Sequence, residues 1–259
     1  MILTRPMDDA PKSTALKTGL ISKVLTPAIR LWLKGQTDHL ENLNLNIQAG
    51  DRAVLSGCIP QVDLTAEAAI YQGIHLSALS LRATDIRTNL PQVLRGKAFQ
   101  LLSPFPLDLD LQLTEADLNA SLNAPLIQPA IAEFLQTFLQ STASPDPNAP
   151  GSPDAPLHIQ NLACRLQDQT IVLWGELSNP QAPEAEPTAI ALKAELRLAT
   201  PHCIQLQHPT WLPHPTAKRG LPIAELEGYQ FDLGPDTDFT QMAITPDAIT
   251  AIGRLTVLP

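Results

Sequence analysis

Two aspartates, Asp108 and Asp110, have the spacing of a carboxylate pair for metal binding or acid–base catalysis. Alternate residues of a strand point to the same side, so both carboxylates share one face of the stretch "PLDLDLQLT". The residues on the opposite face are all leucines: Leu107, Leu109, Leu111 and Leu113. This pattern is typical of a half-buried strand, and we expect the aspartates to form its solvent-facing side.

A second group of residues with metal-binding chemistry lies in "HCIQLQHPTWLPH", which contains His202, Cys203, His208 and His214. Zinc sites usually have closer ligand pairs, such as CxxC or HxxxH, and a spacing of six residues through a proline-rich loop has little specificity. We therefore predict no metal and no other cofactor. We expect Trp211 in this loop to pack or to dip into a membrane interface.

The common catalytic motifs are absent from the sequence. It has no GxSxG, HExxH or GxGxxG, and its Gly96-Lys97 pair is followed by Ala98 without the rest of a phosphate-binding loop. The cysteines Cys58, Cys164 and Cys203 are odd in number and widely spaced, which indicates neither a disulfide framework nor a CxxC site. We predict that the protein is not an enzyme.

The charge is unevenly distributed along the chain. The net charge is −9, but residues 1–34 carry six basic and two acidic side chains, so they sum to +4 and leave −13 for the rest. An acidic body argues against nucleic acid as a partner. The N-terminus has no signal-peptide pattern and the sequence has no apolar run of 18 residues, so we expect a cytoplasmic protein that associates peripherally with a membrane.

A basic amphipathic helix is predicted over residues 18–35. At 100° per residue, one broad apolar face collects Leu20, Ile21, Val24, Leu25, Ala28, Leu31 and Trp32. Lys23, Arg30 and Lys34 gather on the opposite side, and Pro27 is expected to kink the helix. Such a helix can lie in an anionic lipid interface, or it can pack on the protein's own core with its cations in solvent. Both are compatible if the helix covers a groove in one state and meets lipid in another.

The remaining elements are mainly amphipathic strands. Alternation predicts a hairpin that starts at residues 43–48, a strand from residue 73 with a bulge or bend where its apolar phase changes, and strands near 188–200 and 248–257. A second helix is predicted from Thr114 to Gln140, and the proline-rich residues 141–156 are expected to be a disordered insertion. The fold class is therefore α+β: a long, curved antiparallel β-sheet wrapped around one or two helices.

Three stretches carry a family resemblance: "LISKVLTPAIRLWLKGQ", "YQGIHLSALSLRATDIRTNLPQVLRGK" and "LTEADLNASLNAPL". They resemble the bacterial phospholipid-binding family related to lipomannan elongation factor A. The resemblance covers most of residues 18–259, which we take as a single lipid-binding-like domain after a flexible N-terminus at 1–17. It implies a fold similar to the tubular lipid-binding proteins, with an apolar groove for acyl chains, and a role in lipid transport or membrane maintenance. Exported members begin with a signal peptide or anchor, a pattern that this sequence does not show.

The resemblance implies phospholipid as a partner and no catalytic residues. We expect the apolar sides of the two helices to line the groove, through Leu20, Val24, Ala28, Leu31, Trp32, Leu118, Leu122, Ile127, Ile131, Phe134 and Phe138. We expect an anionic membrane surface or lipid headgroups to be met by Lys23, Arg30, Lys34 and Trp211. The alternative is a protein-interaction or assembly module with a solid core, in which the opening helix docks into a protein partner.

Overall fold

The computed structural model describes residues 25–93, 95–131, 133–134, 137, 158–178 and 186–259. The helices are α1 (Thr26–Gln36), α2 (Asp51–Leu55), α3 (Leu90–Val93) and α4 (Glu115–Ser121), with a 3₁₀ turn at Ala224–Leu226. The strands are β1 (His39–Gln48), β2 (Cys58–Tyr71), β3 (Ile74–Arg87), β4 (Phe105–Thr114), β5 (His158–Gln167), β6 (Thr170–Ser178), β7 (Thr188–Thr200), β8 (Cys203–Trp211), β9 (Leu221–Pro222), β10 (Gln230–Asp232), β11 (Thr237–Ile244) and β12 (Ala248–Val257). The predicted N-terminal tail, the first part of the predicted opening helix and the proline-rich insertion lie outside these residues.

The described strands form two antiparallel sheets. The first sheet has the order β1-β2-β3-β4-β12-β11. The second has the order β10-β8-β7-β6-β5, with the short β9 also paired to β8. The α+β class and the antiparallel pairing are confirmed, and the strands are divided between two sheets.

The strand predictions that rest on strict alternation are confirmed. Strand β4 pairs along its whole length with β12, the most C-terminal strand. The β1–β2 pair is also confirmed, but its connection contains the helix α2. The phase change predicted for β3 is present, since Leu76 is buried, Ala78 is exposed and Leu79 is half-buried. Strand β2, which pairs with β3, is irregular at the same level. Its residue Ala68, opposite the phase change, has a φ of 47°.

Helix α4 begins directly at the end of β4 because a capping box closes its first turn. The Thr114 hydroxyl accepts a hydrogen bond from the Asp117 N–H, and the Asp117 carboxylate accepts bonds from the Thr114 N–H at 2.8 Å and from the Ser77 hydroxyl. Partial burial would raise the pKa of Asp117, but the hydrogen bonds from Ser77 and Thr114 outweigh it and hold this pKa below its usual value.

The predicted helix from Thr114 to Gln140 is interrupted after α4. Residues 122–127 form turns, and helical structure resumes at 128. Pro125 explains the break, because it has no N–H to donate and it disfavours helical backbone at the preceding residue. Pro129 lies in the first turn of the resumed helix, a position where proline is tolerated.

Helix α4 joins the two sheets by binding the free edge of β5. The Asn119 amide donates to the Cys164 carbonyl at 2.9 Å and accepts from the Cys164 N–H at 2.8 Å, while Glu115 accepts from the Leu166 N–H at 2.8 Å. Residues four apart on a helix are about 6 Å apart along its axis, close to the two-residue repeat of a strand. Helix α4 therefore replaces a neighbouring strand at an edge that would otherwise expose unpaired backbone groups.

A second joint is made by β11, the last strand of the first sheet. The Gln169 N–H, in the β5–β6 turn, donates to the Ile244 carbonyl at 3.1 Å. The Phe239 N–H donates to the Pro201 carbonyl, in the β7–β8 turn, at 2.6 Å. The hairpin turns of the second sheet thus meet the outer edge of the first, and β6, β7 and β8 extend away from it.

Candidate functional site

The first sheet has one continuous apolar side, which we call the first apolar face. It is formed by Leu45, Ile47, Val62, Leu64, Ala66, Leu79, Leu81, Leu107, Leu109, Leu111, Ala251 and Leu255. The pairing aligns four leucines side by side across β1 to β4: Leu45, Leu64, Leu81 and Leu109. The row continues to Gly253 and Phe239. An added Cβ at Gly253 would lie 2.7 Å from the Phe239 Cα, so the glycine allows β11 to approach closely.

Helices cover one end of this face. The core there contains Leu25, Ile29, Val54, Ile59, Val62, Ala83, Ile86, Leu90 and Phe105. Further along, Leu79, Leu81, Leu111 and Leu113 are only half-buried, and no core cluster formed by the described residues includes them. A purely structural sheet surface would normally bury such leucines against another layer. The part of the first apolar face around Leu79, Leu81 and Leu111 is therefore a candidate surface for an apolar ligand.

The second sheet carries a second apolar face, on the side where helical residues pack. Its pairing aligns one row across β5 to β9: Cys164, Leu173, Leu192, Trp211 and Leu221. Ile131 and Phe134 pack on this face, with the Phe134 ring centroid 5.4 Å from Tyr229 and 5.7 Å from Phe231. The side chains at the two ends of the row differ in exposure: Cys164 is 1% exposed and Leu221 is 73% exposed.

The opposite side of the first sheet is polar and carries an alternating row of charges. Asp63, Arg82, Asp108, Arg254 and Asp238 are direct neighbours on five successive strands. Arg82 Nε lies 2.8 Å from Asp63 Oδ1, and Arg254 Nε lies 2.7 Å from Asp108 Oδ1. Burial would raise the pKa of Asp63, but hydrogen bonds from Arg82 and two glutamines lower it. The prediction that Asp108 lies on a polar strand face is confirmed.

Two pockets lie beside this row of charges. One of about 600 Å³ is lined by the row itself, and one of about 720 Å³ lies where β11 meets β7. They share Thr240 and Ile252. The first pocket is lined by ion pairs, so it does not offer the dry apolar lining that an acyl chain needs.

A family model described as LmeA-like phospholipid-binding matches residues 16–254, which is nearly the whole chain. The chain belongs to the LmeA-like phospholipid-binding family. Searches of curated proteins and of solved structures found no match. The family that the sequence resembles is thereby confirmed. The description of the LmeA-like family names binding of phospholipid and no reaction.

In this LmeA-like chain, helix α1 packs on the core through a narrower apolar face than the one predicted. Leu25 and Ile29 are buried and Leu33 packs against the same core, whereas the predicted groove residue Leu31 is 74% exposed. The sheet lies under the arc centred on Ile29, and Leu31 lies outside that arc. Trp32 is half-buried, with its ring 6.3 Å from the ring of Phe99.

The polar side of α1 is as predicted for the residues that the structure describes. Arg30 and Lys34 are exposed, and neither forms an ion pair with another described residue. Pro27 occupies the first turn of α1, which begins at Thr26. Lys23, with Leu20 and Val24, lies outside the described residues, so the structure does not test its predicted role.

The predicted residues of the second helix are divided between the two sheets. Leu118 and Leu122 belong to α4 and its C-terminus, where Leu122 is buried. Ile131 and Phe134 pack on the second sheet, and Ile127, in the turn between, is half-buried. Phe138 lies outside the described residues.

The predicted membrane residue Trp211 is half-buried and packs with the core of the second sheet. The exposed tip beside it is formed by Lys218, Arg219 and Leu221, which are not among the residues predicted from the sequence. The available signal was "AKRGL", a pair of cations and a leucine in a segment without acidic residues from 208 to 224. A run of two cations is too short to stand out from an ordinary solvated loop.

The described residues include no group of three or more His, Cys, Asp or Glu side chains placed to hold a metal ion. Within the same residues, no helix is both long and apolar enough to cross a membrane.

Proposed function

We propose that this member of the LmeA-like family binds phospholipid by holding acyl chains against the first apolar face, and that it does so as a non-enzymatic peripheral protein in lipid transport or membrane maintenance. The observation that carries the proposal is that Leu79, Leu81 and Leu111 of this face, beyond the end that the helices cover, are only half-buried. Each acyl CH₂ that leaves water gains about 0.8 kcal/mol, so such a surface binds a chain without a polar device.

The polar side of the sheet supports assigning the acyl chains to the leucine side. On the polar side, Arg82 and Arg254 are already paired with carboxylates, and a chain laid there would cover ion pairs. On the leucine side it would cover only hydrocarbon.

The exposed side of α1 supports contact with an anionic bilayer. Arg30 and Lys34 flank Leu31 on the outward side of the helix, each cation contributing about 1 kcal/mol near an anionic surface. Helix α1 would then pack on the sheet through Ile29 and Leu33 while its other side faces lipid.

Native mass spectrometry of the protein purified from cells, followed by lipid extraction, tests the proposal. We expect phospholipid at about one per chain in the wild type. Leu111→Trp fills the half-buried part of the face and should reduce bound lipid severalfold. Gln112→Trp is the matched control, because this neighbour is exposed on the polar side and should leave bound lipid unchanged.

Equal lipid content in the two variants would place the acyl chains elsewhere. A wild-type protein that carries no lipid and ignores anionic vesicles would refute the proposal and favour a protein partner for α1.

A further inference from the structure

The loop between β8 and β9 is held firmly at both ends. Leu212 is 2% exposed, and its N–H donates to the Ala191 carbonyl at 2.9 Å. At the other end, the Ile223 N–H donates to the Pro209 carbonyl at 2.9 Å. Gly220 passes so close to β8 that an added Cβ would lie 1.9 Å from the Trp211 oxygen. Both ends of the loop, including the end at Gly220 and Leu221, are therefore held against the second sheet.

The tip combines unpaired positive charge with exposed hydrocarbon. Lys218 and Arg219 are exposed, and neither forms an ion pair with any residue that the structure describes. Arg82 and Arg254 of the first sheet, in contrast, are each paired with a carboxylate. Leu221 adjoins the two cations and is 73% exposed. In a protein of net charge −9, this local cationic and apolar tip is complementary to an anionic lipid surface.

The same tip is the end of the second apolar face. Leu221 is paired with Trp211, and Trp211 is paired with Leu192, so the three side chains share one side of the sheet. The row continues to Leu173 and to the buried Cys164, whose backbone is bound by α4. An acyl chain that leaves a bilayer at Leu221 would thus meet a continuous apolar row leading into the protein.

This end of the molecule is distinct from the α1 surface. Strands β7 and β8 meet β11 through their connecting turn, and the β8–β9 loop follows the other end of β8, nine residues away. At about 3.3 Å per residue, the loop lies roughly 30 Å from that joint. Helix α1 packs on the opposite part of the first sheet, beside β1.

We propose that the β8–β9 loop is a membrane-docking site for anionic phospholipid bilayers, and that the Leu221 end of the second apolar face is the portal through which acyl chains pass. The portal rests on the proposed function, because it requires that the protein holds acyl chains. The docking site does not, because it needs only the charge and exposure of the loop.

Cosedimentation with phosphatidylcholine vesicles that contain 30% phosphatidylserine, on the order of the anionic content that attracts polybasic segments, tests the docking site. We expect Lys218→Glu combined with Arg219→Glu to weaken binding at least about 30-fold, and Leu221→Asp to weaken it about tenfold. Leu126→Asp is the matched control: it makes the same change at another exposed leucine, 53% exposed, and should bind within about twofold of the wild type.

Wild-type binding by both loop variants would overturn the docking site, as would equal binding of the wild type to vesicles of phosphatidylcholine alone. The portal is tested by incubating lipid-stripped protein with the same vesicles and measuring the phospholipid it acquires. Leu221→Asp should acquire lipid more slowly than Leu126→Asp, and equal rates would overturn the portal. If the wild type docks through the loop but neither contains nor acquires lipid, the proposed function fails and the docking site stands.

Discussion

The hydrogen bonds between α4 and β5 allow the contribution of Asn119 to stability to be predicted quantitatively. Replacing Asn119 by alanine removes both bonds to the Cys164 backbone, at 2.9 and 2.8 Å, and leaves those groups without a partner in a residue that is 1% exposed. Each buried backbone group left unsatisfied costs about 1–3 kcal/mol, and alanine regains roughly 0.5 kcal/mol of helix propensity. We expect the free energy of unfolding to fall by about 1.5–5.5 kcal/mol.

Two further variants separate the bonds from other effects. Asn119→Asp retains an acceptor for the Cys164 N–H but turns a carboxylate oxygen toward the Cys164 carbonyl, so we expect a loss at least as large as that of Asn119→Ala. Asn123→Ala changes an exposed asparagine in the following turn and should cost less than about 0.5 kcal/mol. Urea unfolding followed by circular dichroism gives the free energies.

Hydrogen exchange locates the effect. In Asn119→Ala the Cys164 amide should exchange faster than in the wild type, together with its neighbours on the free edge of β5, because that edge loses its cover. An unchanged Cys164 exchange rate, or a loss of stability no larger than that of Asn123→Ala, would refute the view that α4 acts as a surrogate strand.

Three other predictions concern single residues. Asp117→Asn should lower stability by about 1–2 kcal/mol at neutral pH. Because the pKa of Asp117 is lowered in the folded state, this contribution is present above the unfolded pKa of about 3.9 and is lost as pH falls through the lower folded pKa, so unfolding curves of the variant and wild type should converge in acid. Burial, with the nearby Glu115 carboxylate, raises the pKa of the Cys164 thiol to about 12, so iodoacetamide at pH 8 should alkylate the half-buried Cys58 and spare Cys164; mass spectrometry of peptides decides this. Gly220→Ala should lower the melting temperature through a loss of about 1–3 kcal/mol, because its Cβ would overlap a β8 carbonyl, and a variant as stable as the wild type would contradict that packing.

The strands were predictable from the sequence because their signal is local. In β4, four leucines alternate with polar residues, and a one-residue error would turn every side chain to the wrong face. The break after α4 was also visible in principle, as Pro125, but helical spacing on both sides of it obscured the turn.

The partners of these strands were not predictable, because pairing is not local. Arg254 and Asp108 are 146 residues apart in the chain, and neither residue alone indicates the other. The buried arc of α1 depends in the same way on the sheet beneath it, which selects Ile29 and leaves Leu31 exposed. The sequence therefore predicts an amphipathic helix, and the tertiary structure decides which of its apolar residues remain available for a ligand or a membrane.

The charges on the polar side of the first sheet affect which side the leucines occupy. Exposed ion pairs contribute little stability, up to about 1 kcal/mol each, so the alternating row from Asp63 to Asp238 is a weak source of folding free energy. It does favour one register, because sliding any strand by one residue would move its charge to the leucine side and a leucine to the charged side. A sheet whose apolar face is only partly covered needs such a constraint more than a sheet with a filled core, where packing alone fixes the register. The row of charges and the incompletely buried leucines are thus compatible with the proposed binding of acyl chains on the first apolar face.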